Sequence, residues 1–392
     1  MELFDKFANA RSTYELLNSL PVNPTEIVIE KVISATEAMI KGQVTIMAGT
    51  NNYRGITFEE TCIKAGQKAL ADSGTGTTGS RMANGTYQEH LDLEKEIADF
   101  YNLPFAMVFS TGYSANLGSL SALLGPEDAV LLDAEAHASL FDGCRMSGAE
   151  IYRFKHSDPE SLLRRMKRLG EKASNALIVV EGLYSIRGDC APLREIVDVK
   201  REVGGYLYVD EAHSFGLYGE RGAGLVEECG VLGETDFIVG TFSKSLGSIG
   251  GFCVSPHEEL NLFRYCSRPY IFTASPCPAT IATTRAALAF IRNEPVQRSR
   301  VWENAHLLYD GLEKLGLDLG PEVSPVIGVT YSGKEQAFNA WQMLLDRGVY
   351  TNLILPPAAP DGGALIRCSV TAAHTVAQIR SILESFEATL EK

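Results

Sequence analysis

Short apolar runs recur along the middle of the chain, each separated from the next by a stretch with helical spacing. The runs are Phe105–Phe109, Ala129–Asp133, Glu150–Phe154, Ala176–Glu181, Tyr206–Asp210, Asp236–Gly240 and Gly251–Ser255. Most are nearly continuous in aliphatic and aromatic residues, the pattern of strands covered on both faces. Between them, segments such as Leu162–Leu169 place Leu162, Leu163, Met166 and Leu169 on one helical face. Seven such strands alternating with helices predict an α/β layered domain with a mainly parallel sheet.

The flanks differ. Residues 1–50 precede the alternation and read as an arm of two helices and a short strand. After Arg292-Asn293-Glu294-Pro295 the period changes. A long helix, Val296–Leu315, leads to strand candidates at Val326–Thr330 and Leu365–Ser369 and to a last helix from Thr375. The expected division is therefore an arm (1–50), a large domain (51–292) and a smaller α+β domain (293–392). No segment repeats and none is of low complexity.

Composition narrows the class. Apolar residues make up 45% of the 392 and charged residues 21%, as in soluble globular proteins. A net charge of −14 argues against nucleic acid as the partner, because phosphate contacts need clustered Lys and Arg. The eight cysteines are scattered, without Cys-x-x-Cys pairs or metal spacing, and read as reduced thiols of a cytoplasmic protein with no metal site. Met1-Glu2-Leu3-Phe4-Asp5-Lys6 lacks the basic start and apolar run of a signal peptide. No apolar stretch approaches the ~20 residues that span a bilayer, so membrane contact is expected to be peripheral at most. The apolar arm positions Leu3, Phe4, Phe7, Leu16 and Leu17 are expected to pack against a second subunit.

Ligands of open α/β sheets gather at the carboxyl ends of strands. Polar groups fall there after four of the runs: His137, then Ser185, then Asp210 with His213, then Lys244. Singly, each has an ordinary structural reading; together they would converge. Lys244 lies in Thr241-Phe242-Ser243-Lys244-Ser245-Leu246-Gly247, an amine flanked by small hydroxyls and glycine, suited to holding an aldehyde cofactor. Burial lowers such a lysine's basicity, which frees the amine to attack a carbonyl and to move protons. Asp210 suits the partner of a pyridinium nitrogen, His213 the ring's phenolic oxygen, and His137 a stacking partner. Lysine and aspartate together point to pyridoxal 5′-phosphate (PLP). Its phosphate is expected at Gly112 and Tyr113, where Ser110-Thr111-Gly112-Tyr113 opens a helix after a strand, with Thr241 and Ser243 supplying hydroxyls from across the site.

Two other motifs carry less. Gly74-Thr75-Gly76-Thr77-Thr78-Gly79 matches a nucleotide-binding glycine pattern, but a helical stretch precedes it and Ser80-Arg81 stands where Lys-Ser/Thr is required. The basic cluster Arg164, Arg165, Lys167 and Arg168 is the solvated face of an amphipathic helix. Arg367 differs, because an arginine inside the apolar strand Leu365–Ser369 needs a fixed anionic partner such as a substrate carboxylate.

At these residues the chain resembles the α-oxoamine synthases, PLP enzymes of fold type I (aspartate aminotransferase-like) that condense an amino acid with an acyl thioester. The resemblance runs from Asn51-Asn52-Tyr53 to Thr371-Ala372-Ala373-His374. It is carried by Gly76-Thr77-Thr78-Gly79-Ser80-Arg81-Met82, Asn84-Gly85-Thr86-Tyr87, Phe109-Ser110-Thr111-Gly112-Tyr113, His137-Ala138-Ser139, Asp142-Gly143-Cys144, Gly240-Thr241-Phe242-Ser243-Lys244-Ser245 and Arg268-Pro269-Tyr270-Ile271-Phe272-Thr273-Ala274-Ser275. It is strongest to the soluble bacterial branch that joins L-serine to a palmitoyl-CoA-like thioester with loss of CO₂, giving 3-ketosphinganine. It implies Lys244, Asp210, His213 and His137 as the catalytic group and Gly112, Tyr113, Thr241 and Ser243 around the cofactor. It also implies Asn51 and Arg367 on the amino-acid carboxylate, and Thr273 reaching the phosphate of a neighbouring subunit in a homodimer with shared sites. That branch carries an arginine directly before the paired prolines of the small domain; here the position is Leu355, before Pro356-Pro357. The departure keeps relatives with another amino acid or acyl donor open, such as 2-amino-3-ketobutyrate CoA ligase or 8-amino-7-oxononanoate synthase, with CoA or acyl carrier protein as the thiol. A PLP aminotransferase or lyase is the rival chemistry, and a non-catalytic partner subunit the rival class.

Overall fold

A computed structural model describes residues 3–356, 358–359 and 362–390; the side chains of Asn9 and Leu16 also lie outside the described residues, as does Pro357. Seven strands form the central sheet: β1 (Phe105–Phe109), β2 (Ala129–Asp133), β3 (Glu150–Phe154), β4 (Leu177–Glu181), β5 (Tyr206–Asp210), β6 (Phe237–Thr241) and β7 (Gly251–Ser255). Their spatial order is β1-β7-β6-β5-β4-β2-β3. β7 runs antiparallel to both its neighbours, and the pairs among β2 to β6 are parallel. The predicted runs match these strands to within one residue at each end.

Period-two alternation assigns each strand to two cores. Ile178, Val180, Leu207, Val209 and Ile238 enter one apolar cluster. Leu177, Val179, Tyr208, Phe237 and Val239 enter the other. Strands buried on both faces cannot expose backbone polar groups sideways, so function is confined to their ends.

A second sheet holds Asp318–Leu319, Val326–Tyr331, Ala364–Ser369 and Asn352–Ile354, in that spatial order and antiparallel throughout. Arg367 sits on its third strand, between Gly328 and Asn352 in register.

The arm corrects the sequence reading. It holds one α-helix, Ala8–Ser19, led by a single 3-10 turn, and then strands Lys31–Val32, Glu37–Ile40 and Gln43–Met47. The last two pair as a hairpin through Lys41-Gly42, where both residues have positive φ (51° and 71°). Burial alternates along Glu37–Ile40, as in a half-buried strand. Val349–Tyr350 joins this sheet in parallel, pairing with Ile46 and Met47.

Candidate active site

The site is a cavity of about 320 Å³ at the carboxyl ends of β4, β5 and β6, within the size range of small-ligand pockets. Its other walls are the first turns of helix α1 (Gly112–Leu123) and helix α2 (Ala138–Ser147). Gly112, Tyr113, His137, Asp210, His213, Thr241, Ser243 and Lys244 all line it.

β5 ends on Asp210, which is 4% exposed. Its Oδ1 accepts from the Ala212 N–H at 2.9 Å and its Oδ2 from Asn116 Nδ2 at 2.7 Å. Lys244 follows β6 by three residues and is enclosed by protein while still bordering the cavity. Burial pushes its ammonium down to about 8, against the pull of Asp210 and Glu181. A minority is therefore already neutral amine near physiological pH, the form that captures a carbonyl.

His213 is buried, and its Nδ1 shares a 2.7 Å hydrogen bond with the Tyr53 hydroxyl. Burial holds its imidazole well below the usual histidine value, and Lys244 and Arg367 push the same way. His137 is the N-cap of α2, accepting at Nδ1 from the Ser139 N–H. Its ring borders the open cavity, with Tyr113 edge-on at 6.5 Å between centroids. The protein packed behind the ring lowers its pKa, against the pull of Asp210.

The anion cradle opposes Lys244. The first turn of α1 borders the cavity, and the leading N–H groups of a helix have no intrahelical partner. Across from them, the Thr241 and Ser243 hydroxyls lie 2.9 Å apart. Gly112 lies so close to Thr241 that a Cβ would come within 2.7 Å of its side chain. Helix terminus, paired hydroxyls, buried aspartate and lysine of lowered basicity are groups that could hold the phosphate, ring nitrogen and aldehyde of PLP.

Asn51 and Arg367 stand beside the cavity and join it through Tyr53. Arg367 Nη2 donates to Asn51 Oδ1 at 2.8 Å and to the Tyr53 hydroxyl at 3.2 Å, and that hydroxyl meets His213. Arg367 Nε is buried without a hydrogen-bond partner. Leu355 is half-buried against the apolar core.

Ser185 does not reach the cavity. Beyond β4 the chain turns toward the second sheet, through a Leu183–Cys190 bridge and close approach of Gly188 to Val326. The strand-end group that lines the cavity is Glu181 itself, whose Oε1 accepts from the His137 N–H at 2.6 Å. Burial, then Asp210, holds the Glu181 carboxyl well above its ordinary value. Thr273 also lies outside this chain's cavity, in the turn after Arg268–Ile271. The sequence reading missed Asn116, Ser139, Glu181 and Tyr53. Gly74–Gly79 follows helix Glu60–Ser73, not a strand; Gly79 packs against Asn84 and its carbonyl accepts from the Ser275 N–H, while Gly74 and Gly76 border open space.

Strand-end lysine and aspartate on a seven-stranded, mainly parallel sheet define the fold of the PLP-dependent aminotransferases. The chain belongs to the aminotransferase class I and II family, whose profile matches residues 45–386. Within that breadth it is 52% identical over 386 residues to the serine palmitoyltransferase of Caulobacter vibrioides, covering 98% of this chain and 96% of that one. It is 47% identical over 376 residues to the serine palmitoyltransferase of Sphingomonas paucimobilis, covering 95% and 89%. A high-resolution structure of SPT with a PLP internal aldimine superposes with a TM-score of 0.97 at 46% identity, covering 100% of this chain and 99% of that one. The resemblance read from the motifs is borne out.

Proposed function

We propose that this chain is a PLP-dependent acyltransferase that condenses L-serine with a long-chain acyl thioester such as palmitoyl-CoA. The thiol and CO₂ leave, and an α-amino ketone, 3-ketosphinganine, is released. The observation that carries the reading is the convergence of Lys244, Asp210, His137 and His213 on one cavity, in a chain so similar to serine palmitoyltransferases.

When bound, PLP supplies an aldehyde that takes up the substrate amine and a ring that accepts the electron pair left at Cα. The protein's own groups do the rest. Lys244 Nζ holds the aldehyde at rest, then removes the Cα proton and later returns one, a role that suits an amine titrating near 8. Asp210 keeps the ring nitrogen protonated. Neutral His213 would hydrogen-bond the ring oxygen, and His137 would orient the substrate. Arg367 and Asn51 hold the serine carboxylate. Residues 51–292 are taken as the cofactor-binding domain and 293–392 as the domain that supplies Arg367.

Thr273, the exposed Phe272 beside it, and the exposed arm residues Leu3, Phe4 and Phe7 support a homodimer with shared sites, in which Thr273 serves the other copy's phosphate cradle. Among the described residues no helix is long and apolar enough to cross a membrane.

The test incubates purified holoenzyme with palmitoyl-CoA and each amino acid in turn, measuring free thiol and CO₂. Serine-dependent release of both is expected. A 2-oxo acid product without thiol would replace the reading with an aminotransferase, and best turnover with another amino acid would replace serine.

A further inference from the structure

A buried hydrogen-bond chain joins Asp210 to His137. Asp210 Oδ2 accepts from Asn116 Nδ2 at 2.7 Å, and the same amide nitrogen donates to Ser139 Oγ at 2.9 Å. Ser139 Oγ lies 2.7 Å from His137 Nδ1. On the other side of the amide, the Tyr208 hydroxyl donates to Asn116 Oδ1 at 2.8 Å. Asn116 is 3% exposed, Ser139 1% and Tyr208 0%, so water does not compete for these groups.

We infer that Asn116 and Ser139 are positioning residues that fix the proton of neutral His137 on Nε2, leaving an Nε2–H donor for the cavity. An ionised carboxylate only accepts, so the NH₂ end of Asn116 must face Asp210 and its oxygen must face Tyr208. The reversed amide would bring two acceptors together at 2.7 Å. The second amide hydrogen goes to Ser139 Oγ, and the serine's own proton is then free for His137 Nδ1. The Ser139 backbone N–H approaches the same nitrogen at 3.2 Å. With two donors aimed at Nδ1, the ring proton resides on Nε2.

Charge on Asp210 thus dictates the tautomer of a ring three hydrogen bonds away. The aspartate expected to hold the cofactor nitrogen also sets the histidine expected to orient the substrate. That consequence for catalysis rests on the proposed function, whereas the location of the proton does not.

Holoenzyme labelled with ¹⁵N-histidine tests this, with long-range proton–nitrogen spectra that separate the two neutral tautomers. The His137 signals are assigned by their loss in His137→Phe. Wild type is expected to show His137 as Nε2–H, while Ser139→Ala and Asn116→Leu each add the Nδ1–H form. Nδ1–H or a doubly protonated ring in wild type at neutral pH overturns the inference. So does a pure Nε2–H form in both variants, since the backbone N–H alone would then suffice. Ser139→Ala, the smaller change, keeps the test open if Asn116→Leu does not fold.

A kinetic arm follows. Each single variant should lower kcat by about 10- to 100-fold with KM for serine within about 3-fold, and the double variant should match the worse single, as for residues acting in one chain. A multiplicative loss would show that they act separately. If wild type condenses nothing, the proposed function fails while the spectra still decide the tautomer.

Discussion

Arg367 offers the sharpest quantitative test of how the amino acid is held. The residue is 7% exposed and its guanidinium is anchored by Asn51 and Tyr53, with Nε unpartnered. Replacement by lysine keeps the charge but removes the fork that can bind a carboxylate through two parallel N–H bonds. At this depth a hydrogen bond to a charged group contributes about 1.5–3 kcal/mol. Loss of one such bond at about 2 kcal/mol corresponds to roughly 30-fold weaker serine binding. Leu355 supplies no second cation at its position to soften the loss. Arg367→Leu goes further, removing the charge and leaving Asn51 Oδ1 without that donor, so the weakening should exceed about 100-fold. The assay is titration of holoenzyme with L-serine, followed by the visible absorption of bound cofactor, with thermal melts to confirm folding. If Arg367→Lys binds serine within about 3-fold of wild type, the carboxylate is held elsewhere and the assignment of Arg367 is wrong.

Further tests address cofactor and fold. Burial pushes the Lys244 ammonium down to about 8, so capture of added PLP by apoprotein, trapped with borohydride, should accelerate as pH rises through that value; a flat rate would mean the amine is not the titrating group. Gly112→Ala drives a Cβ to 2.7 Å from the Thr241 side chain and should weaken PLP binding at least about 10-fold in equilibrium dialysis, roughly 1.4 kcal/mol. His156 lies between Asp133 (2.8 Å) and Asp189 (2.7 Å). Burial alone would lower this histidine, yet the two carboxylates raise it to about 10 from 6.5. Its contribution to stability is then complete below about pH 6.5 and is lost as pH rises through about 10. His156→Gln should lower stability by about 3–5 kcal/mol at about pH 6 and flatten that slope in melts across the window; an unchanged pH profile would refute the clamp.

Patterning exposed the central sheet because its strands, the edge strand Glu150–Phe154 excepted, are buried along nearly their whole length, which makes their apolar runs continuous and hard to mistake for helical spacing. The strand-end rule then located Lys244, Asp210, His213 and His137, since each follows such a run within a few residues. Asn116 and Ser139 stayed hidden because polar residues inside a helix carry no mark of which neighbour they will meet. Ser185 misled because the rule places a residue near a strand end without saying where the chain turns next; Glu181, the last residue of the run, was the better choice. Arg367 stood out as a charge within an apolar strand, but its link to His213 runs through Tyr53, more than 300 residues earlier in the chain. The arm was misread because its hairpin strands are too short to dominate the helical signal around them.

The parallel pairing of Val349–Tyr350 with Ile46–Met47 bears on biogenesis. During translation the amino-terminal hairpin waits for a partner made roughly 300 residues later, about 15–60 s at ordinary elongation rates. Until then one of its edges is open to solvent or to a chaperone. Arg367 follows Tyr350 by 17 residues, so the pocket proposed to hold the amino acid is among the later parts of the molecule to be completed on the ribosome.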